Sequence, residues 1–350
     1  MPFSARPKAT FAIREFDLIR TLQHRHGAEG ASIIRGIGDD AAVIVPAKKR
    51  WQLVTTDLLT EGIHFDFLTA GCSDIGFRAA AANLSDIAAM GGTPHYMLVS
   101  VAIPRNGTSQ QVQQLYRGMM AACRPHKVRL IGGDTTASAA TWFISITLIG
   151  SVTPGRALFR RGARVGDDLY VTGTLGDSLA GLKLLRQAHR KANTPLLPPR
   201  HRAFLIRRHL RPTARIAEGQ WLSIHGWATA AIDVSDGLSG DLHHICEESH
   251  VGVDINLSAL PISPACLAYA KSTAEDPITL ALAGGEDYEL LFTVASRHRR
   301  RFEELAAAQQ ISFTRIGRIK PTRSGVHSLA PDGKRQPLPI TSYEHFPSTY

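Results

Sequence analysis

Carboxylates in this chain fall repeatedly at the edge of an apolar run, usually beside glycine. The strings are GIGDDAAVIV with Asp39 and Asp40, LVTTDLL with Thr55, Thr56 and Asp57, and NLSDIAAMGG with Asp86. LIGGDTT with Asp134, AIDVSDGLSGD with Asp233, Asp236 and Asp241, and LAGGEDYELLF with Glu286 and Asp287 complete the set. Taken singly, each has an ordinary account, because Asp after Gly is turn chemistry and Asp or Ser at a strand-to-helix junction caps the helix. Their recurrence calls for one explanation, since converging ionised carboxylates repel one another and need cations. Mg²⁺ is the natural partner: it takes oxygen ligands, uses one or two carboxylates per ion, and fills its other positions with water and substrate phosphate. The expected chemistry is therefore metal-dependent handling of a polyphosphate. The pairs Gly132-Gly133 and Gly284-Gly285 would let backbone N–H groups approach phosphate oxygens. No GxxxxGK[ST] occurs, nor a GxGxxG followed by a lysine strand, so neither a P-loop nor a protein-kinase architecture is indicated.

The elements that must position these residues read as mixed α/β. Helix-like spacing covers residues 11–25, with Gly27 as a stop, and then 73–90 and 109–123. Alternation and β-branched content predict strands near 41–45, 52–56, 96–103, 128–131 and 141–149. A Gly-, Arg- and Pro-rich stretch from 153 to 167 marks a boundary near 150–155, dividing the chain into domains 1–152 and 153–350. Beyond it, strands are expected at 168–172, 230–233, 253–256, 290–294 and 313–319, and helices at 177–190, 203–209 and 238–249. Pro195, Pro198 and Pro199 mark a loop between the first two of these helices.

With 350 residues and 44% apolar content, two cored domains are possible. No run approaches the ~18–20 apolar residues of a membrane helix, and the polar, basic first ten residues argue against export. A cytoplasmic protein without a membrane partner is expected. Cys72, Cys123, Cys246 and Cys266 are scattered, with neither zinc nor disulfide spacing, and read as reduced, buried residues. The net charge of +10 is concentrated between 178 and 217, a segment with ten Lys or Arg and no acid. With Phe204 its only aromatic residue, that segment offers no stacking platform, so nucleic acid is not an expected partner. Two readings stay open for it: a solvated helical face and loop, or an electrostatic guide for phosphorylated substrates.

In order along the chain, GIGDDAAV, TTDLLTEGIHF, AANLSDIAAMGGTP, LIGGDTT, GRALFRRGARVGDDLYVTGTLGDSLAGL, RHLRPTARI, DVSDGLSGDL and GGEDYELLF closely resemble bacterial thiamine-monophosphate kinases. The match spans residues 15–294, with a weaker echo in SYEHF at 342–346. The resemblance implies a two-domain α/β (α+β) fold shared with aminoimidazole ribonucleotide synthetase. It implies a homodimer whose N-terminal domains build a barrel across the interface and bind ATP and Mg²⁺. By the same resemblance, Asp40, Thr55, Thr56, Asp57, Asp86, Asp134, Asp233 and Asp236 are magnesium ligands. Tyr116, Gly133, Asp134, Arg160 and Ser235 belong to the ATP site, and His64, Glu286 and Tyr343 to the thiamine monophosphate site. Asp57, Asp134 and Arg160 are the catalytic set. Arg161 competes with Arg160 for its role, Tyr116 has helix packing as a rival role, and His64 could be a satisfied, partly buried histidine.

The implied reaction is transfer of the γ-phosphoryl group of ATP to thiamine monophosphate, the last step of thiamine diphosphate biosynthesis. Direct in-line transfer with several Mg²⁺ needs little covalent work from the protein. Rivals in the same superfamily lack support: selenophosphate synthetase should carry an early reactive Cys, whereas the first here is Cys72, and the hydrogenase maturation factor needs a C-terminal Cys, whereas this chain ends HFPSTY. TTDLLTEGIHF and GGEDYELLF favour the thiamine enzyme over the purine one.

Overall fold

The structure, a computed structural model, describes residues 21–22, 24–26, 33–35, 43–44, 46, 48–189, 196–330 and 332–343. Asp39 and Asp40 lie outside the described residues, as does most of the expected opening helix, of which 21–22 and 24–26 are helical. The chain divides into two compact units. One holds Met1–Lys48, Thr56–Ala80 and His95–Ile149; the other holds Lys49–Thr55, Ala81–Pro94 and Gly150–Tyr350.

In the first unit, short strands β1 (Ile33–Arg35) and β2 (Val43–Ile44) pair antiparallel, and the unit carries most of a four-stranded sheet in the order β3-β6-β4-β5, where β3 is Trp51–Thr60, β4 Thr93–Ile103, β5 Arg129–Ala137 and β6 Phe143–Val152. Strands β4 and β5 are parallel, with Val99 opposite Gly133 and Ser100 opposite Asp134. A helix, Ser109–Cys123, makes the crossover that a parallel pair requires. Its start is fixed by a capping box in which the Thr108 side chain accepts from the Gln111 N–H and the Gln111 side chain accepts from the Thr108 N–H. The helix Cys72–Ala89 meets it backbone to backbone: a Cβ on Gly76 would lie 2.0 Å from the Leu115 oxygen, and one on Gly118 would lie 1.8 Å from the Ser73 oxygen.

A seven-stranded sheet in the order β13-β12-β9-β11-β7-β10-β8 forms the second unit. Here β7 is Asp168–Thr172, β8 Ala228–Asp233, β9 Val251–Asn256, β10 Leu290–Val294, β11 Phe313–Pro321, β12 Val326–Leu329 and β13 Arg335–Pro337. Strand β10 runs antiparallel to both β7 and β8 and is buried along its whole length. Alternate side chains serve two cores, as a two-residue period dictates. Leu169, Val171 and Leu291 join an aliphatic cluster with Ile232, Val253 and Ile316, while Tyr170 and Phe292 stack within an aromatic group with Phe302 and Phe313.

Among the described residues the expected elements are present, mostly extended by a few residues; of the strand expected at 41–45 only 43–44 is described. The helix expected at 203–209 begins at Pro199, so that proline stands in a first helical turn rather than a loop, where its missing N–H costs nothing. Short helices at Ile216–His225, Pro264–Thr273, Pro277–Ala283 and Arg299–Ala308 carry no strong sequence pattern. All four cysteines are free and buried. Among the described residues no helix is long and apolar enough to cross a membrane.

Candidate active site

In the second unit, strand and helix ends gather the carboxylates. Strand β3 alternates, so Leu53, Thr55 and Asp57 share one face while Val54, Thr56 and Leu58 lie exposed on the other. Thr55 Oγ1 donates to Asp86 Oδ2 on the helix Cys72–Ala89. The adjacent Ser85 Oγ donates to Asp233 Oδ2 at the end of β8, at 2.6 Å. Burial, and then the charge of Asp86, push the Asp233 carboxyl up to about 7. Asp86 is also raised by burial, against the lowering effects of the Thr55 hydrogen bond and the Arg160 charge. One helical turn past the DVSDG loop, Asp241 accepts the Gly237 N–H at 3.1 Å. Burial, Asp233 and Asp236 together push its carboxyl up to about 8. Arg160 is the cation whose field acts on both Asp86 and Asp233, whereas Arg161 lies over the Phe159 ring at 5.7 Å.

The DVSDG and GGEDYEL strings, about fifty residues apart in sequence, lie side by side. Glu286 N–H donates to Ser235 O at 2.7 Å, Tyr288 N–H to Val234 O at 2.9 Å, and Val234 N–H to Glu289 O at 2.7 Å. Glycine is required at Gly285, because a Cβ there would sit 2.7 Å from the Ser235 oxygen. Glu286 and Tyr288 both adopt left-handed backbone conformations, with φ of 62° and 52°, at a cost of about 1–2 kcal/mol each. Tyr343 is brought to the same place: its N–H donates to Asp236 O at 3.1 Å, and its ring is exposed.

Beneath this loop lies an ion-pair network that the sequence reading did not anticipate. Arg208 and Arg215, both from the basic segment, point at Glu289, whose side chain is fully buried. Neither is a solvated face residue, which corrects the bland reading at these two positions; Arg207 and Arg211 remain exposed. Burial alone would raise the Glu289 carboxyl, but the Arg215 hydrogen bonds and the charges of both arginines hold it below its ordinary value. Asp287 has two backbone donors, Gly176 N–H at 2.5 Å and Ser178 N–H at 3.0 Å, yet burial still pushes it up to about 7.

In the first unit, Asp57 is half-buried on β3 and Asp134 is exposed on β5. Thr56 Oγ1 donates to Ile146 O at 3.0 Å and accepts from Thr147, so its hydroxyl is engaged in the sheet. A Cβ on Gly133 would lie 1.9 Å from Val99 O, which means that strand packing by itself demands glycine there. Tyr116 is buried, its phenol pushed up by desolvation and then by the charge of Asp134, and its ring stacks with His26. His64 Nδ1 accepts the Thr60 N–H at 3.0 Å, which leaves Nε2 to carry the proton of the neutral ring.

Among the described residues no three Asp, Glu, His or Cys groups form a closed metal cage. The donor set nonetheless fits Mg²⁺: Asp86, Asp233 and Asp241 are all pushed up by burial, and for Asp233 and Asp241 mutual repulsion adds to it. A divalent ion completed by water and phosphate would relieve that repulsion.

The domain families described as "AIR synthase related protein" match at residues 38–152 (N-terminal domain) and 164–329 (C-terminal domain). Thiamine-monophosphate kinase of Bacillus subtilis (strain 168) is 36% identical over 332 residues, covering 95% of this chain and 99% of that enzyme. The crystal structure of thiamine-monophosphate kinase from Stenotrophomonas maltophilia K279a aligns with a TM-score of 0.77 at 38% identity, over 91% of this chain and 95% of that one. A structure described as AaThiL complexed with AMPPCP and TMP aligns at 0.74 with 35% identity, over 99% of this chain and 100% of that one. This chain, with both AIR synthase-related domains in order and these identities over nearly its full length, belongs to the thiamine-monophosphate kinase family of enzymes.

Proposed function

We propose that the protein transfers the γ-phosphoryl group of ATP to the phosphate of thiamine monophosphate, the last step in making thiamine diphosphate. The observation that carries this reading is the pairing of half-buried Asp86 with buried Asp233 under the field of Arg160, a site suited to hold cations and polyphosphate together. The bound AMPPCP and TMP of the AaThiL relative support the choice of substrates, AMPPCP being an ATP analogue and TMP read as thiamine monophosphate.

Both reacting groups are anionic, so they repel unless screened. Bound Mg²⁺ ions would supply that screening and polarise the γ-phosphoryl group. Asp40, Asp57, Asp86, Asp134, Asp233 and Asp236, with Thr55 and Thr56, are assigned to hold them. Arg160 adds positive charge at the ATP phosphates, where Tyr116, Gly133 and Ser235 are the further assigned contacts. His64, Glu286 and Tyr343 are assigned to the acceptor, Glu286 facing the cationic thiamine moiety. The acceptor phosphate has a second pKa of about 6 and is already an oxyanion at neutral pH, so transfer is direct and in line, with no general base and no phospho-enzyme. The chain acts as a cytoplasmic homodimer, with residues 1–152 as the nucleotide, metal and dimerisation domain and 153–350 as the C-terminal α/β domain.

Purified protein is incubated with ATP, Mg²⁺ and thiamine monophosphate, and thiamine diphosphate and ADP are followed by chromatography. Parallel reactions use thiamine and formylglycinamidine ribonucleotide. Diphosphate from the monophosphate alone is expected; turnover of only the purine precursor would keep the fold and overturn the function.

A further inference from the structure

We propose that Arg208, Arg215 and Glu289 are positioning residues for the phosphate acceptor, acting through the left-handed loop that carries Glu286. The inference rests on the reading of Glu286 as an acceptor contact. Arg208 and Arg215 sit in the basic segment between 178 and 217, and their geometry ties that segment to this loop rather than to solvent. Arg215 grips Glu289 with two bonds, Nε to Oε2 at 2.6 Å and Nη2 to Oε1 at 2.7 Å. Thr172 Oγ1 donates to the same carboxylate at 2.6 Å.

Arg208 Nη2 reaches Glu289 Oε1 at 2.7 Å, the Thr174 carbonyl at 3.2 Å and the Asp287 carbonyl at 3.4 Å. It thereby ties the loop after β7 to the backbone one residue beyond Glu286. The fit is tight: a Cβ on Gly173 would lie 2.2 Å from Glu289 Oε1. From the same helix as Arg208, the buried His209 places Nδ1 at 3.6 Å from Glu286 Oε2 and at 3.1 Å from Ser178 Oγ. Both partners approach one ring nitrogen, so this is not a proton relay of the Ser-His-acid type, in which serine and acid use opposite ring nitrogens. Left-handed conformations at Glu286 and Tyr288 persist only where the surroundings over-determine them. The guanidinium fork supplies that constraint, and a lysine cannot reproduce it.

The test is Arg208→Lys, with Arg207→Lys, an exposed neighbour on the same helix, as the control. Folding is checked by circular dichroism, and kcat and the separate KM values for thiamine monophosphate and ATP are measured with Mg²⁺ present. The expected result is a rise of about tenfold in acceptor KM, as for loss of a charged hydrogen bond, with the ATP KM changed less than about twofold and the control unchanged. A double-mutant cycle with Glu286→Gln separates the two claims. If the arginine acts through Glu286, adding Arg208→Lys to Glu286→Gln changes the acceptor KM little further. Full additivity overturns the positioning role, and so does an unchanged acceptor KM in folded Arg208→Lys or an equal rise in both KM values. An unchanged KM in Glu286→Gln alone refutes the Glu286 assignment instead. Should Arg208→Lys not fold, Arg215→Lys is read by the same criteria, and unfolding of both would make the network a stabiliser of the unit and overturn the inference.

Discussion

Asp233→Asn tests the carboxylate pair without needing turnover. In the wild-type protein Asp233 is buried, hydrogen-bonded by Ser85 and held against Asp86. Raising its carboxyl from the ordinary 3.8 to about 7 corresponds to about 4 kcal/mol at about 1.4 kcal/mol per pH unit. Asparagine removes both the buried charge and its repulsion with Asp86, and because the two carboxyls titrate as a pair we take about half of this, about 2 kcal/mol, as the gain. The folded state holds a proton on Asp233 between about pH 4 and pH 7 that the unfolded chain has lost, so metal-free stability falls as pH rises through that window. Asparagine keeps an acceptor for the Ser85 hydroxyl and carries no charge. Thermal denaturation at pH 8 in EDTA should therefore place the variant about 4–8 °C above wild type, at about 2–4 °C per kcal/mol. At pH 5, about one pH unit into that window, the advantage should shrink to roughly two-fifths of its size at pH 8. With Mg²⁺ present the wild type should gain more than the variant, because the ion favours the ionised pair. A variant that melts no higher than wild type at pH 8, or whose advantage is as large at pH 5 as at pH 8, would refute the reasoning.

Asp57→Asn should lower kcat at least about a thousandfold with the circular dichroism spectrum unchanged, and normal turnover at saturating Mg²⁺ would remove Asp57 from its role. Arg160→Ala should lower kcat/KM for ATP at least about tenfold, as expected for a charge facing phosphate. Arg161→Ala, which loses a ring contact to Phe159, should stay within about twofold; the reverse order would exchange their assignments. Gly133→Ala should yield destabilised or insoluble protein, because its Cβ would lie 1.9 Å from Val99 O. A soluble, fully stable Gly133→Ala enzyme that fails only in ATP binding would show that the glycine serves phosphate approach.

The acidic strings were legible because the chemistry constrains short, local patterns. A carboxylate next to an apolar run, with glycine in the same short string, is visible in one window, as at Asp86, Asp134 and Asp233. Strands β7 and β10 were equally plain, being short, largely apolar runs with β-branched and aromatic residues, buried along their whole length. The short helices from Ile216 to Ala308 were not, since a helix of seven to ten residues is held by tertiary packing rather than by its own periodicity.

By itself the sequence determined the mixed α/β class and the family, and it displayed a series of acidic strings and a basic segment in search of a purpose. Which residues meet was decided by tertiary structure. Ser85 looked like an ordinary neighbour of Asp86, yet it donates to Asp233, 148 residues away. The glycines of GGD and GGED looked like phosphate approaches, whereas at Gly133 and Gly285 neighbouring carbonyls leave no room for a Cβ. Arg208 and Arg215 looked like surface charge, and only the folded chain places Glu289 between them. Charge and size are properties of a residue and can be read along the chain. Burial and partnership are properties of a pair, and they exist only once distant segments have been packed together.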